Sequence, residues 1–255
     1  MIESEATTGE MWRIADTAAG WIFPVQTADA VNQFVDFLHR FECEVAAPAA
    51  EVWISADTDF IVWLNGQRLG QGQYSNFPDR KTYERFPLGE ALRKGLNTLA
   101  VTVFYNGRNS SVYRRGDPGL LFEVRADRVL ATSGTNTLCR CNPCYHSGPI
   151  AIVSGQLAYT FGYDARGDDR FHHDAYVPGD DWTAVAEAEV TRPDARALLM
   201  PRPVPRLEYG DLTQATLVAS GRFRVDVARA ESESGATAAE QTAAGLVLSE
   251  GPPVS

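Results

Sequence analysis

The sequence predicts an all-β fold of antiparallel β-sandwich modules of jelly-roll type, two of them with a partial third. Three observations carry this expectation. Apolar residues alternate with a period of two through residues 30–126, turn residues break these runs about every 8 to 12 positions, and helical periodicity is scarce, with no helical crossover between the runs.

In residues 51–57, EVWISAD, the side chains of Val52, Ile54 and Ala56 share one face. After an Asp-Thr turn, Phe60, Val62 and Leu64 do the same, which reads as a hairpin. Asn65-Gly66 follows, a pair suited to the positive φ values of a type I′ turn, and leads into Gln67 to Gly70. Leu88 to Arg93 has the length of one helical turn and stops at Lys94-Gly95, where glycine most easily takes positive φ. It is a connector, not a layer. Residues 97–105, NTLAVTVFY, put Leu99, Val101, Val103 and Tyr105 on one side, and Gly119 to Arg125 align Leu120, Phe122 and Val124. Asn97, just after Gly95, is placed to hold the start of its strand by bonding nearby backbone.

These runs define a first sandwich over residues 1–126. A second unit is expected over 127–207, with strand-like QLAYTFGY at 156–163, a charged loop DARGDDRFHHD, and Trp182 as a core anchor behind two aspartates. It ends in the proline-rich stretch at 200–207, which cannot donate a regular hydrogen-bond ladder and reads as an extended strap. Residues 208–255 read as an incomplete third segment: TLVASGRFRVDVARA supplies up to two strands, but ESESGATAAEQTAAG is poor in bulky apolar residues.

Composition narrows the function classes. With 44% hydrophobic and 22% charged residues the chain is globular, and no run approaches the roughly 18 apolar residues of a membrane span. Acidic residues outnumber basic ones 33 to 23, for a net charge of -10, so nucleic acid is not an expected partner. The first ten residues are acidic where a secretory leader is basic, and four cysteines make a poor disulfide framework for 255 residues, so the expected setting is cytoplasmic.

The sharpest chemical cluster is Cys139, Cys141, Cys144 and His146, whose Cys-x-x-Cys spacing can chelate zinc. A structural zinc site usually draws its second ligand pair from a distant segment, so a mixture of core and loop thiols is the competing reading, and no cofactor is expected. Asp168, Asp169, His172, His173 and Asp174 could hold a cation or an acid/base pair, but adjacent carboxylates in a glycine-containing loop are more often solvated. Glycoside hydrolysis needs its two acids opposed across a cleft, so no catalytic residue is assigned there or at Asp180-Asp181. For sugar binding, which needs an aromatic face and planar polar groups, the candidates are Tyr74, Arg80, Tyr105, Asn106 and Arg108. Trp53 and Trp63 lie opposite the Val52 and Val62 faces and could stack a ligand, or be buried between layers.

An ordered set of segments resembles the N-terminal region of bacterial α-L-rhamnosidases. It runs through Trp21-Ile22-Phe23, Asn32, Phe34-Val35-Asp36-Phe37, Arg40-Phe41, Ile54-Ser55-Ala56-Asp57 and Leu64-Asn65-Gly66. It continues with Gly95-Leu96-Asn97-Thr98-Leu99-Ala100-Val101, Tyr163-Asp164-Ala165-Arg166, Asp180-Asp181-Trp182 and Pro201-Arg202-Pro203-Val204-Pro205. The resemblance implies galactose-binding-like jelly-roll accessory modules, with catalysis in a downstream (α/α)6 barrel of the same polypeptide whose acidic residues have no match here. It implies a non-catalytic region of a glycoside hydrolase acting on rhamnose-containing glycosides, with carbohydrate as a possible ligand. A stand-alone carbohydrate-binding module, an accessory region of a β-galactosidase-like enzyme, and a self-contained metal enzyme built on the Cys/His cluster stand as alternatives. The half-built last segment reads as a chain cut before its catalytic part.

Overall fold

The computed structural model describes residues 11–13, 17–24, 30–44, 47–72, 77–154, 156, 158–186, 190–191, 198–206, 222–225 and 246–249. They form two compact units, Met1–Pro149 with Phe161–Pro203, and Ile150–Thr160 with Val204–Ser255.

The first unit opens with β1 (Trp12–Arg13), β2 (Trp21–Ile22), β3 (Gln33–Cys43), β4 (Glu51–Asp57), β5 (Asp59–Leu64), β6 (Gln67–Gly72) and β7 (Thr82–Pro87). After a 3-10 turn at Gly89–Ala91 come β8 (Gly95–Tyr105), β9 (Gly119–Arg125), β10 (Val129–Thr132) and β11 (Thr137–Cys141). In the second unit β12 (Ile152–Ser154) pairs antiparallel with β13 (Ala158–Tyr159). The first unit resumes with β14 (Thr183–Ala184), β15 (Val190–Thr191) and β16 (Leu198–Pro201). The second unit closes with an antiparallel pair, β17 (Arg222–Val225) and β18 (Leu246–Ser249).

The first unit is a sandwich of two sheets. One is eight-stranded in the order β1-β16-β7-β4-β9-β2-β15 with β10 on β9; the other is six-stranded, β14-β11-β3-β8-β5-β6. All pairs are antiparallel except β16 on β7. The alternation read from the sequence fills the space between the sheets: Val52, Ile54 and Ala56 of β4 and Leu120, Phe122 and Val124 of β9 meet Phe60, Val62 and Leu64 of β5 and Leu99, Val101 and Val103 of β8. Each Val, Ile, Leu or Phe among them contributes about 1.5–3 kcal/mol relative to leaving it in water, so the registers are fixed by which face holds the apolar set.

The expected hairpin over 51–64 is not formed. β4 pairs with β7 and β9, while β5 pairs with β6 and β8, so the chain crosses from one sheet to the other between Asp57 and Asp59. Both apolar sets still face one interior, but from opposite walls. The true hairpin is β5–β6, closed by Asn65 at φ 50 and Gly66 at φ 84. Asn97 holds the start of β8 as expected, with Nδ2 donating to the Arg93 and Gly95 carbonyls, both at 2.8 Å.

The strands of the first unit after residue 126 extend these same two sheets: β10 pairs with β9, β11 with β3, and β16 with β7. The proline-rich strap begins as a strand, because Pro201 alternates with residues that keep their N–H groups. Met200 N–H donates to the Lys81 carbonyl at 3.1 Å and Arg202 N–H to that of Tyr83 at 3.2 Å, leaving the nitrogen of Pro201 on the side away from β7. Among the described residues no helix is long and apolar enough to cross a membrane.

Candidate functional site

Of the residues weighed for sugar binding, Arg80, Tyr105, Asn106 and Arg108 lie at one end of the sandwich, where β3 and β5 begin and β8 ends. Trp53 is instead buried against Trp12 and Tyr83, and Trp63 packs against Phe171 and His172. Tyr74 lies outside the described residues. The parity of β8 carries Tyr105 inward, where it is fully buried, packs against Phe23 at 5.8 Å and donates its hydroxyl to the Gly116 carbonyl at 3.0 Å. Burial raises its phenol pKa. It offers no face to a ligand. Asn106 is buried too: its N–H donates to Thr58 Oγ1 at 2.9 Å, and its Oδ1 accepts from Arg108 N–H at 3.2 Å. Arg80 and Arg108 stay at the surface, Arg80 with its Nε 3.8 Å from Asp79.

Beneath these loops lies Asp57, whose only sequence signal was its place at the end of the Ile54-Ser55-Ala56-Asp57 run. It is buried, bridges to Lys81 Nζ at 2.5 Å and accepts the Tyr113 hydroxyl at 2.7 Å. Burial, reinforced by the Asp57 charge, pushes the Tyr113 phenol up. Gly116 passes so close that a Cβ there would lie 2.5 Å from Asp57 Oδ2.

The Cys/His cluster is dispersed by the fold. Cys139 points into the core from β11, Cys141 is exposed, Cys144 is buried with a thiol pKa raised by burial, and His146 is exposed with Nε2 3.4 Å from the Pro149 carbonyl. Among the described residues no three His, Cys, Asp or Glu side chains are grouped to hold a metal ion.

The acidic loop is more structured than a solvated one. Its anchor is Arg140, with 4% of its side chain exposed, on the outer face of the six-stranded sheet. The guanidinium bridges to Asp36 at 3.3 Å and to Asp169 and Asp181 at 2.7 Å each, and lies 4.5 Å from the ring centre of Trp182. Trp182 packs on Leu38, Ala100 and Phe171, the core anchor expected of it. Burial opposes the charge on Arg140, but its bonds to Asp169 and Asp181 outweigh it and the pKa rises. Burial pushes Asp36 up to about 6 against the pull of Asn142, Thr102 and Arg140, and burial on the inner face of the same strand lowers His39 to about 4. Asp174 is taken by Arg93 at 2.9 Å, and His172 stacks on Trp63 at 5.0 Å.

Among the described residues the four buried carboxylates Asp36, Asp57, Glu84 and Glu123 each face a cation, respectively Arg140, Lys81, Arg202 and Arg125. A general acid or base must change its protonation readily near neutral pH; Asp36, raised to about 6, comes close to that range, but its oxygens are already engaged by Arg140, Asn142 and Thr102.

No family model matches the chain, and no curated protein does. Solved structures do. The GH78 family rhamnosidase of Bacillus sp. GL1 aligns at 26% identity and TM-score 0.71 over 86% of this chain and 22% of that one. The chain is similar to a stretch of α-L-rhamnosidases. The Aspergillus terreus α-L-rhamnosidase aligns at 19% identity and TM-score 0.53 over 67% of this chain and 21% of its own. The Streptomyces avermitilis enzyme, solved with L-rhamnose, aligns at 22% identity and TM-score 0.52 over 67% and 17%. The last two share the fold. The resemblance read from the sequence is thus borne out, and the chain spans about a fifth of the length of the chains it matches.

Proposed function

We propose that this chain is the non-catalytic β-sandwich region of an α-L-rhamnosidase-like glycoside hydrolase acting on rhamnose-containing glycosides, with catalysis in an (α/α)6 barrel of the same polypeptide. The observation that carries the reading is the alignment of 86% of the chain with only 22% of the Bacillus rhamnosidase. The engagement of every described buried carboxylate by a cation supports it, since hydrolysis of a glycoside requires two carboxyl groups free to face each other across the substrate. The proposed boundary after residue 207 lies close to Pro203, where the first compact unit ends. A cytoplasmic setting is part of the proposal, in keeping with four cysteines that form no disulfide.

The test is incubation of the purified chain with 4-nitrophenyl α-L-rhamnopyranoside. No release of nitrophenol above buffer is expected, whereas turnover that survives repurification would overturn the reading.

A further inference from the structure

The outer face of the six-stranded sheet carries a group of aromatic rings that none of the sequence candidates includes. Phe34 of β3 and Phe104 of β8 are cross-strand partners with ring centres 4.8 Å apart. Tyr145 stacks on Phe34 at 4.2 Å and 10°. Phe161 and Tyr163 then stand edge-on to Tyr145, at 6.4 Å and 64° and at 4.8 Å and 60°. The backbone fixes this arrangement: Tyr145 and Tyr163 form a β-bridge, His146 N–H donates to the Gly162 carbonyl at 2.9 Å, and Asp164 N–H to that of Cys144 at 2.8 Å. Residues two apart on a paired extended stretch lie on the same side, about 7 Å from each other.

The outermost rings are open to solvent, Phe161 at 72% and Tyr163 at 48%. Burying an apolar ring is favourable, and beside the seated Phe34 and Tyr145 two neighbouring rings stay uncovered, an aromatic surface open to a ligand. Its size decides what. At roughly 150–250 Å² per aromatic side chain, the exposed parts of Phe161 and Tyr163 together offer on the order of 250 Å². A stable protein interface needs about 800 Å² per partner. One sugar ring needs far less, and its C–H face packs on aromatic rings while its hydroxyls reach planar polar groups at the edge. Of the exposed polar residues next in sequence, Asp164 is bridged to Arg166 at 2.5 Å and His146 has Nε2 3.4 Å from the Pro149 carbonyl, so the ledge itself offers a sugar the two ring faces and the Tyr163 hydroxyl.

We propose that this ledge is a carbohydrate-binding site that takes a single pyranose ring against Phe161 and Tyr163. Phe161 has no polar atom, so the ring face it meets is one rich in C–H groups, as in a methyl-bearing 6-deoxyhexose. The choice of a rhamnoside as probe rests on the accessory reading above; the ledge itself rests on ring geometry and exposure.

The experiment is a calorimetric titration of the whole chain with methyl α-L-rhamnopyranoside and with a rhamnose-containing oligosaccharide. It is run on the parent, F161A, Y163A and, as an exposed apolar control elsewhere, V177A. Weak saturable binding is expected in the parent and V177A, with a loss of about tenfold or more in F161A and Y163A at unchanged thermal stability. No saturable binding of either probe, or equal binding by all four proteins, would overturn the site. A parent dimer that F161A converts to monomer would also overturn it, by showing the rings to be a contact between copies. Failure of the accessory reading is seen separately, as turnover of the aryl rhamnoside.

Discussion

The two outer faces of the sandwich use aromatic residues in opposite ways. On the eight-stranded sheet the rings are consumed by the fold: Trp53 stacks on Tyr83 at 4.9 Å, meets Trp12 edge-on at 6.0 Å, has the Arg125 guanidinium 3.8 Å from its ring centre, and donates Nε1 to Glu51. Trp12, Trp53 and Tyr83 are all buried. On the six-stranded sheet the covering segment is irregular, pinned by Arg140 and Trp182, and it leaves Phe161 and Tyr163 in solvent. Closed aromatics serve stability and open ones are available to a ligand, so substitution on the two faces should separate these effects.

The largest effect is expected at Trp53. Trp53→Ala removes a buried ring from the closed face and should cost about 3–5 kcal/mol in urea unfolding. A loss comparable to a surface substitution would mean that the face repacks and is not a true core.

Arg140→Ala comes next. It leaves Asp36 buried without its cation, and because Asp169 and Asp181 are partly exposed and can turn to water, a loss of about 3 kcal/mol is expected. Adding Asp36→Asn should recover part of that loss, which a purely steric role for Arg140 would not predict.

A third test uses pH. His39 has its folded pKa depressed from 6.5 to about 4, so in that window the unfolded state binds the extra proton and stability falls as pH drops from about 6.5 to about 4. Asp36 has its folded pKa raised from 3.8 to about 6, so there the folded state holds the proton and stability falls as pH rises from about 4 to about 6. The two slopes oppose each other. Between about pH 4 and about pH 6 the parent should be nearly flat, Asp36→Asn should gain stability with rising pH, and His39→Gln should lose it, each by about 2 kcal/mol across the window. Parallel curves for all three would show that these groups are not perturbed as described.

The smallest effect is expected on the open face, where Phe161→Ala should change stability by no more than about 0.5 kcal/mol.

Much of this fold was legible in the sequence because period-two alternation directly encodes which side chains meet the interior. It reported Val52, Phe60, Val101 and Phe122 as inward without ambiguity, and Asn65-Gly66 as a turn. Alternation does not encode which sheet a strand joins, so the crossing at Asp57 was invisible: a hairpin and a crossover give the same pattern. Tyr105 shows the limit of choosing by residue type, since its parity with Leu99 and Val103 already sent it inward. The open ledge was illegible for a different reason. Phe34, Tyr145 and the Phe161–Tyr163 pair come from three separate segments, brought together by the pairing of 144–146 with 162–164 and by the Asn142 N–H donating to the Phe34 carbonyl. Arg140 was missed likewise, as one cation whose carboxylates come from three separate segments.

The most direct test of the central claim is a search for chemistry in the chain alone. Purified protein would be held with an aryl rhamnoside at several values between about pH 4 and about pH 8, so that Asp36 is sampled in both protonation states, and free L-rhamnose measured by mass spectrometry. The account predicts none above the protein-free control at any pH. Rhamnose release that tracks the protein through purification and disappears on Asp36→Asn would contradict it.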